Sequence, residues 1–446
     1  MKASDMMTLE DYLAQDARCY PEKTAVICGN ERLTYAQLWQ KVQQRSIDFP
    51  RGKIVAFRSS QTLQFLIDYL AIHLAGGVAA PLEKDMPDRL FSEIAEHLSS
   101  CAVPEGSADV LYTTGTTGQS KGVIISHRAI VADAENLIAG QGFTHNLTFV
   151  IHGPLNHIGS LSKIYPVILQ GATLHILDGL RDADVFFSAF AQEGKYATFF
   201  VPANIRFLLS FDVRRLASLA DRLDFIESGG APLSLRDMQQ LCQLLSRTRL
   251  YNTYASTETG IIATYNYNER SGSTQENDRC IPGCLGRPMP HSRVIITPEG
   301  LIACQGDTLM TGYIGDPELT ATVKREDTVF MADYGRIDEE GMLHIMGRQN
   351  DVINVGGYKV APTEVEDAAM AFEGVKDCIC ISAEHSIMGL VLKLLVEMDG
   401  ETKLVKKDLA RFLAARLEPY KVPQLYEQVE HVERTYNGKL NRKYYL

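Results

Sequence analysis

Apolar positions along the first two thirds of the chain alternate between two textures. Short runs rich in β-branched residues, at 23–28, 53–57, 110–112 and 122–126, have the length of strands and are bounded by glycine or polar residues. Between them, apolar residues three and four apart predict helices. One opens after Thr34, whose hydroxyl suits a cap; another runs from about Gln61 to Leu74; a third starts near His127. The alternation continues through strands at 171–177, 197–201 and 223–228. Apolar strands separated by helices predict a largely parallel sheet in an α/β domain.

Past Gly283 the texture changes. Strands at 293–296, 301–304 and 342–345 are joined by glycine-containing turns with few helices, a β-rich unit. Beyond Asn350 a helix at 362–371, strands at 377–382 and 391–397, and a helix at 406–416 predict a small α+β unit. The chain therefore divides into a large domain, 1–349, of α/β subdomains plus a β-rich subdomain, and a small C-terminal domain, 350–446.

Composition narrows the function. A length of 446 residues fits two or three units rather than one. The formal net charge of −11, with no basic cluster, argues against a nucleic-acid partner. Anionic substrates must then be held locally, by placed cations and backbone amides. Residues 1–13 are polar with several acids and lack the basic start and apolar run of a secretory signal. No apolar run approaches the roughly 18 residues of a membrane span, since the most apolar region, 65–82, is broken by Asp68, His73, Gly76 and Gly77. The nine cysteines are odd in number and form no paired metal set. They read as free, mostly buried thiols of a cytoplasmic protein.

The densest chemistry lies in Tyr112-Thr-Thr-Gly-Thr-Thr-Gly-Gln-Ser-Lys121-Gly122. Glycines let backbone N–H groups approach phosphate oxygens, hydroxyls donate, and a lysine adds charge, so this loop suits a polyphosphate. It is not a P-loop, which requires Gly-Lys followed by Ser or Thr; here Lys121 follows Ser120 and precedes Gly122.

Four further segments accompany it: SGGAPLS at 228–234, YNTYASTETG at 251–260, DYGRIDEEGMLHIMGRQNDVINVGGYKV at 333–360 and NGKLNRK at 437–443. In order and spacing the five resemble the adenylate-forming superfamily. It comprises acyl- and aryl-CoA synthetases, peptide-synthetase adenylation domains and firefly-type luciferases. The short stretch between Leu82 and Val110 is most similar to the compact AMP-forming acid–CoA ligases.

The resemblance implies a two-step activity. A carboxylate attacks the α-phosphate of ATP to give an acyl-adenylate, and a thiol then displaces AMP. Thr113, Thr114, Gly115, Thr116, Thr117, Gly118 and Lys121 would hold the β- and γ-phosphates, with Ser120 where the family usually has proline. Gly230, Ala231 and Pro232 would line one face of adenine and Tyr254 the other, with Asn252 on its edge. Thr257 would contact the α-phosphate and Glu258 would ligate Mg²⁺. Asp333 would accept from the ribose hydroxyls, after Ala332 in place of the family's usual glycine, and Arg348 would orient ATP. Lys439 would bridge carboxylate and α-phosphate as the catalytic cation. Asn350 stands at the hinge of a mobile C-terminal domain, where Asp or Lys is more usual. Gly356 and Gly357 would line the pantetheine tunnel, and Lys359 would meet a phosphate of coenzyme A.

His157, Ser228, Gly229 and Ala255 would form the acid pocket. His157 reads equally as a gate or as a packing residue. No residue in 154–162 is acidic, which disfavours an amino acid, because a buried ammonium needs a partner. Ala255, where the family most often has glycine, leaves room for an aryl or medium aliphatic acid. Two alternatives stay open. The thiol could belong to a carrier protein's phosphopantetheine rather than to coenzyme A. A non-catalytic protein that binds ATP or acyl-adenylate is the reading from another class.

Overall fold

The computed structural model describes residues 7–113, 121–180, 182–269, 280–349, 351–355, 358–385, 389–400, 402–434 and 440–445. Six strands run parallel in the spatial order Thr24–Cys28, Thr173–Ile176, Leu147–Ile151, Lys195–Phe200, Leu223–Gly229 and Arg249–Ser256. The last then turns back into Gly260–Asn266, which is antiparallel to it. The same sheet continues through Cys284–Pro288, Leu343–Arg348, Thr328–Ile337, Leu301–Gly306 and Ser292–Ile296. The α/β and β-rich parts that look separate in the sequence are thus one hydrogen-bonded surface.

A second sheet holds Ile54–Arg58, Val78–Leu82, Ser107–Thr113, Lys121–Ser126 and Gly312–Tyr313. Ser107–Thr113 and Lys121–Ser126 are antiparallel neighbours with Thr113 opposite Lys121, so the glycine/threonine loop joins two paired strands. The helix His127–Gln141, capped by Ser126, packs in the main core together with residues of both sheets. Its polar side chains serve backbone groups elsewhere: Asp133 accepts from Ile261 N–H at 2.8 Å, and Asn136 accepts from His291 N–H at 2.8 Å.

The N-terminal stretch is not merely polar. Leu9–Cys19 is a helix with a Thr8/Asp11 capping box, and Leu9, Leu13 and Ala17 bury one stripe. Glu10 is buried beside them and meets His73 Nδ1 at 3.0 Å; His73 Nε2 meets Asp109 Oδ1 at 2.9 Å. His73, which interrupts an apolar run in the sequence, is therefore a core residue with two carboxylate partners.

Residues beyond the large sheet build a separate core. Val375–His385 and Gly389–Met398 pair antiparallel, and Leu425–Val429 joins in parallel. The helices Pro362–Met370 and Lys406–Ala414 cover them with Val365, Ala369, Leu409 and Leu413. Cys378 and Cys380, two apart on one strand, both face this core. All nine cysteines are free, five of them buried. Among the described residues, no helix is long and apolar enough to cross a membrane.

Candidate active site

The strands Leu223–Gly229 and Arg249–Ser256 end together, with Ser228 opposite Asn252 and Gly229 opposite Thr253. Carboxyl ends of parallel strands are where open α/β sheets place their ligands. Glycine is required here. A Cβ on Gly229 would sit 3.0 Å from the Thr253 carbonyl oxygen, and Gly230 turns the chain at φ +80°. The Ser228 hydroxyl donates to the Tyr251 carbonyl at 2.9 Å, so it ties the strands together.

The second strand delivers Tyr254, whose hydroxyl donates to Asp333 Oδ2 at 2.5 Å. Asp333 Oδ1 accepts from Arg348 Nε at 3.2 Å, and these two residues face each other across adjacent strands. Three residues singled out separately in the sequence therefore form one contiguous set. Burial, with Asp333 adding to it, pushes the Tyr254 phenol well above its ordinary range, so it remains a donor. Asn252 is buried and donates its amide N–H to the Cys284 carbonyl at 3.0 Å. That bond fixes the amide's orientation, so that its oxygen is the acceptor end.

Beyond Tyr254 and Ala255 the chain makes a turn, in which Thr259 N–H donates to Ser256 Oγ at 3.1 Å. Thr257 and Glu258 lie in that turn. Glu258 Oε1 accepts from the Tyr313 hydroxyl at 3.0 Å, and its carbonyl accepts from Met310 N–H at 2.9 Å. The Tyr313 ring faces Lys121 Nζ, 5.4 Å from ring centre to nitrogen. Tyr313 thus joins the phosphate-loop lysine to the metal-ligand candidate. Nothing in the sequence points to it, because it lies in the two-residue strand Gly312–Tyr313, remote from every motif.

His157 precedes the short helix Ile158–Leu161. A Cβ on Gly159 would meet the Phe199 ring at 3.2 Å, and one on Gly229 would meet it at 3.4 Å. Phe199, which carries no motif in the sequence, therefore lies against both the helix that follows His157 and the strand end at Gly229; Ile158, Phe199 and Ala255 all pack at the edge of the main core. Thr114, Gly115, Thr116, Thr117, Gly118, Asn350, Gly357 and Lys439 lie outside the described residues, as does the side chain of Lys359.

This donor set fits a nucleotide and a hard dication. Glu258 offers a carboxylate linked through Tyr313 to Lys121, Asn252 an oriented amide, and Gly230 a backbone with no side chain in the way.

The comparisons agree with that chemistry. The model of the AMP-binding enzyme family matches residues 13–106 and 95–314, and that of the AMP-binding enzyme C-terminal domain matches 364–439. A feruloyl-CoA synthase from Amycolatopsis sp. is 27% identical, with 95% of each chain covered. The delta-poly-L-ornithine synthetase of Acinetobacter baumannii is 27% identical over 98% of this chain, which spans only 36% of that protein. Among solved structures, ATP-bound MatB from Rhodopseudomonas palustris superposes with a TM-score of 0.83 at 22% identity, covering 98% of both chains.

Proposed function

The chain belongs to the AMP-binding enzyme family, and from that premise we propose that it is an AMP-forming acid–thiol ligase acting on an aryl or medium aliphatic acid. In the first step a carboxylate oxygen bonds to the α-phosphorus of ATP, the bond to the bridging β-oxygen breaks, and pyrophosphate leaves. In the second, the sulfur of coenzyme A bonds to the acyl carbon, the carbon–oxygen bond to AMP breaks, and AMP leaves. The thiol proton passes to solvent.

Asp333 accepts from the ribose, held in place by Tyr254 and Arg348. Asn252 and the 230–232 turn receive adenine. Glu258 would hold Mg²⁺, which neutralises phosphate charge when bound. Lys121 and the loop before it hold the outgoing pyrophosphate, and Lys439 spans the two anions as they approach. The domain boundary at 349/350 and a hinge at Asn350 suit the separate core and separate sheet of residues beyond 350. Lys359 and Gly357 belong to the thiolation pose. Nine free thiols suit a reducing compartment, the cytoplasm.

The observation that carries this reading is the meeting of Tyr254, Asp333 and Arg348 beside the paired strand ends. The test is pyrophosphate release from ATP across aliphatic and aryl acids, followed by thioester formation with coenzyme A. Release with a subset of acids and thioester formation are expected; ATP binding without release for any acid would leave only the non-catalytic reading. Loading of a holo carrier protein is the second reading. Running the thiolation with coenzyme A and with a holo carrier side by side separates the two.

A further inference from the structure

Beneath the candidate acid pocket lies an ion pair that the reaction does not use. Lys163 Nζ contacts Glu227 Oε1 at 2.8 Å, and both side chains are at most 1% exposed. Glu227 shares a strand, two residues apart, with Gly229, and stands opposite Phe199 in the neighbouring strand. Residues two apart on a strand face the same side, so Glu227, Gly229 and Phe199 belong to one face of the sheet. The Phe199 ring is the shared wall: it lies against Gly159 and Gly229 and also carries the Lys163 ammonium, 5.2 Å from its centre.

The pair is not closed upon itself. Among the described residues, Glu227 Oε2 is buried without a hydrogen-bond partner, and so is the hydroxyl oxygen of Ser162, which precedes Lys163 in the chain. A buried carboxylate oxygen without a donor is costly, and most buried polar atoms in native structures have a partner. The Lys163 ammonium requires a carboxylate at 227 but occupies only one of its oxygens, so the spare oxygen calls for a donor brought from outside.

Resting on the ligase reading above, we propose that Glu227 and Lys163 form the specificity floor of the acid pocket and select an acid bearing a hydroxyl remote from its carboxylate, phenolic when the acid is aryl. A hydroxyl is the group that satisfies both partners. Its proton goes to Glu227 Oε2 and its oxygen accepts from the Lys163 ammonium. An ether in its place accepts but cannot donate, and leaves Oε2 unpaired. Sites built to hydrogen-bond a substrate hydroxyl reject analogues lacking it much more strongly than apolar pockets reject an added group.

The test is pyrophosphate release with matched acids on the full chain: benzoate, 4-hydroxybenzoate and 4-methoxybenzoate, then cinnamate with its 4-hydroxy and 4-methoxy forms. The hydroxylated member of at least one series should show a kcat/KM about tenfold or more above both companions, the scale of one hydrogen bond to a charged group. The double substitution Lys163→Met with Glu227→Leu removes the pair without stranding a charge, and should abolish or reverse that preference. Comparable rates for all members in the unsubstituted enzyme would overturn the proposal while leaving the ligase activity standing. So would a preference that survives the double substitution. Should that variant not fold, the ratios of the unsubstituted enzyme decide alone. Absence of release with every one of these acids and with the aliphatic acids of the screen above would instead overturn the ligase reading, and this inference with it.

Discussion

The Tyr313 hydroxyl donates to Glu258 Oε1 across 3.0 Å, and the same ring faces the Lys121 ammonium. One residue thereby fixes the distance between a carboxylate on the large sheet and a cation on the second sheet. Tyr313 itself is anchored by pairing with Val123, two residues past Lys121. Replacing Tyr313 with Phe keeps the ring and removes the donor. We expect the KM for MgATP to rise by about three- to tenfold with a smaller change in kcat, the range for one hydrogen bond to a charged group. Initial rates against MgATP measure this, and an unchanged KM would detach Tyr313 from nucleotide binding.

The two half-reactions should separate genetically. Lys439→Ala is predicted to lower adenylate formation by at least about a hundredfold while thiolation of supplied acyl-adenylate survives. Gly357→Leu is predicted to do the reverse, because on the proposed reading a side chain at 357 would block the thiol. Pyrophosphate exchange reads the first step and thioester yield from synthetic acyl-adenylate the second. Normal adenylation by the Lys439 variant would remove that residue from the mechanism.

The buried His73 predicts a pH-dependent stability. Burial alone pulls its imidazole down, but Glu10 and Asp109 on its two nitrogens outweigh this and hold it at about 10, above the ordinary 6.5. A raised folded-state value means the stabilisation is complete below about 6.5 and is lost as pH rises through about 10. Removing the cation in His73→Leu strands two buried carboxylates and should cost about 3–5 kcal/mol at neutral pH. Chemical denaturation at pH 7 and at pH 10.5 tests both statements. The gap between the two proteins should narrow at the higher pH, and a gap that stays constant would mean His73 is held neutral.

Asp133 acts in the opposite sense. Burial raises its carboxyl to about 8, against the opposing pull of the Ile261 N–H and of Lys163. The folded state therefore keeps a proton that the unfolded chain releases, and stability declines as pH climbs from the ordinary carboxyl range toward 8. Asp133→Asn retains an acceptor for Ile261 N–H and removes the ionisation. Its stability should be flatter between pH 6 and about 8.5 and should exceed that of the unsubstituted protein at the upper end. Parallel thermal melts across this range decide it; parallel curves would show that Asp133 does not titrate there.

Much of the fold was legible because its cues are local. Thr34 does cap a helix, with Gln37 completing the box, and the strand at 223–228 is observed as Leu223–Gly229. The helix Leu9–Cys19 was missed because Glu10, Asp11 and Asp16 mask its apolar stripe, and two of those acids are buried by partners far along the chain. The continuity of the β-rich strands with the parallel sheet was also hidden. It depends on Gly260–Asn266 pairing with Cys284–Pro288, a contact that neither segment announces.

For the site, the sequence by itself determined which chemistry is present. The glycine/threonine loop, Thr257-Glu258, Asp333 and Lys439 each stand in one of the five short segments that carry the family resemblance, and their proposed roles follow from it. Only the tertiary structure decided what stands beside them. Tyr254 reaches Asp333, Tyr313 reaches Glu258, and Lys163 reaches Glu227, in each case between segments far apart in the chain. The physical reason is that local periodicity fixes which face a side chain takes, while its neighbour across that face is set by strand order and register. Those are properties of the whole sheet, and no short stretch of sequence encodes them.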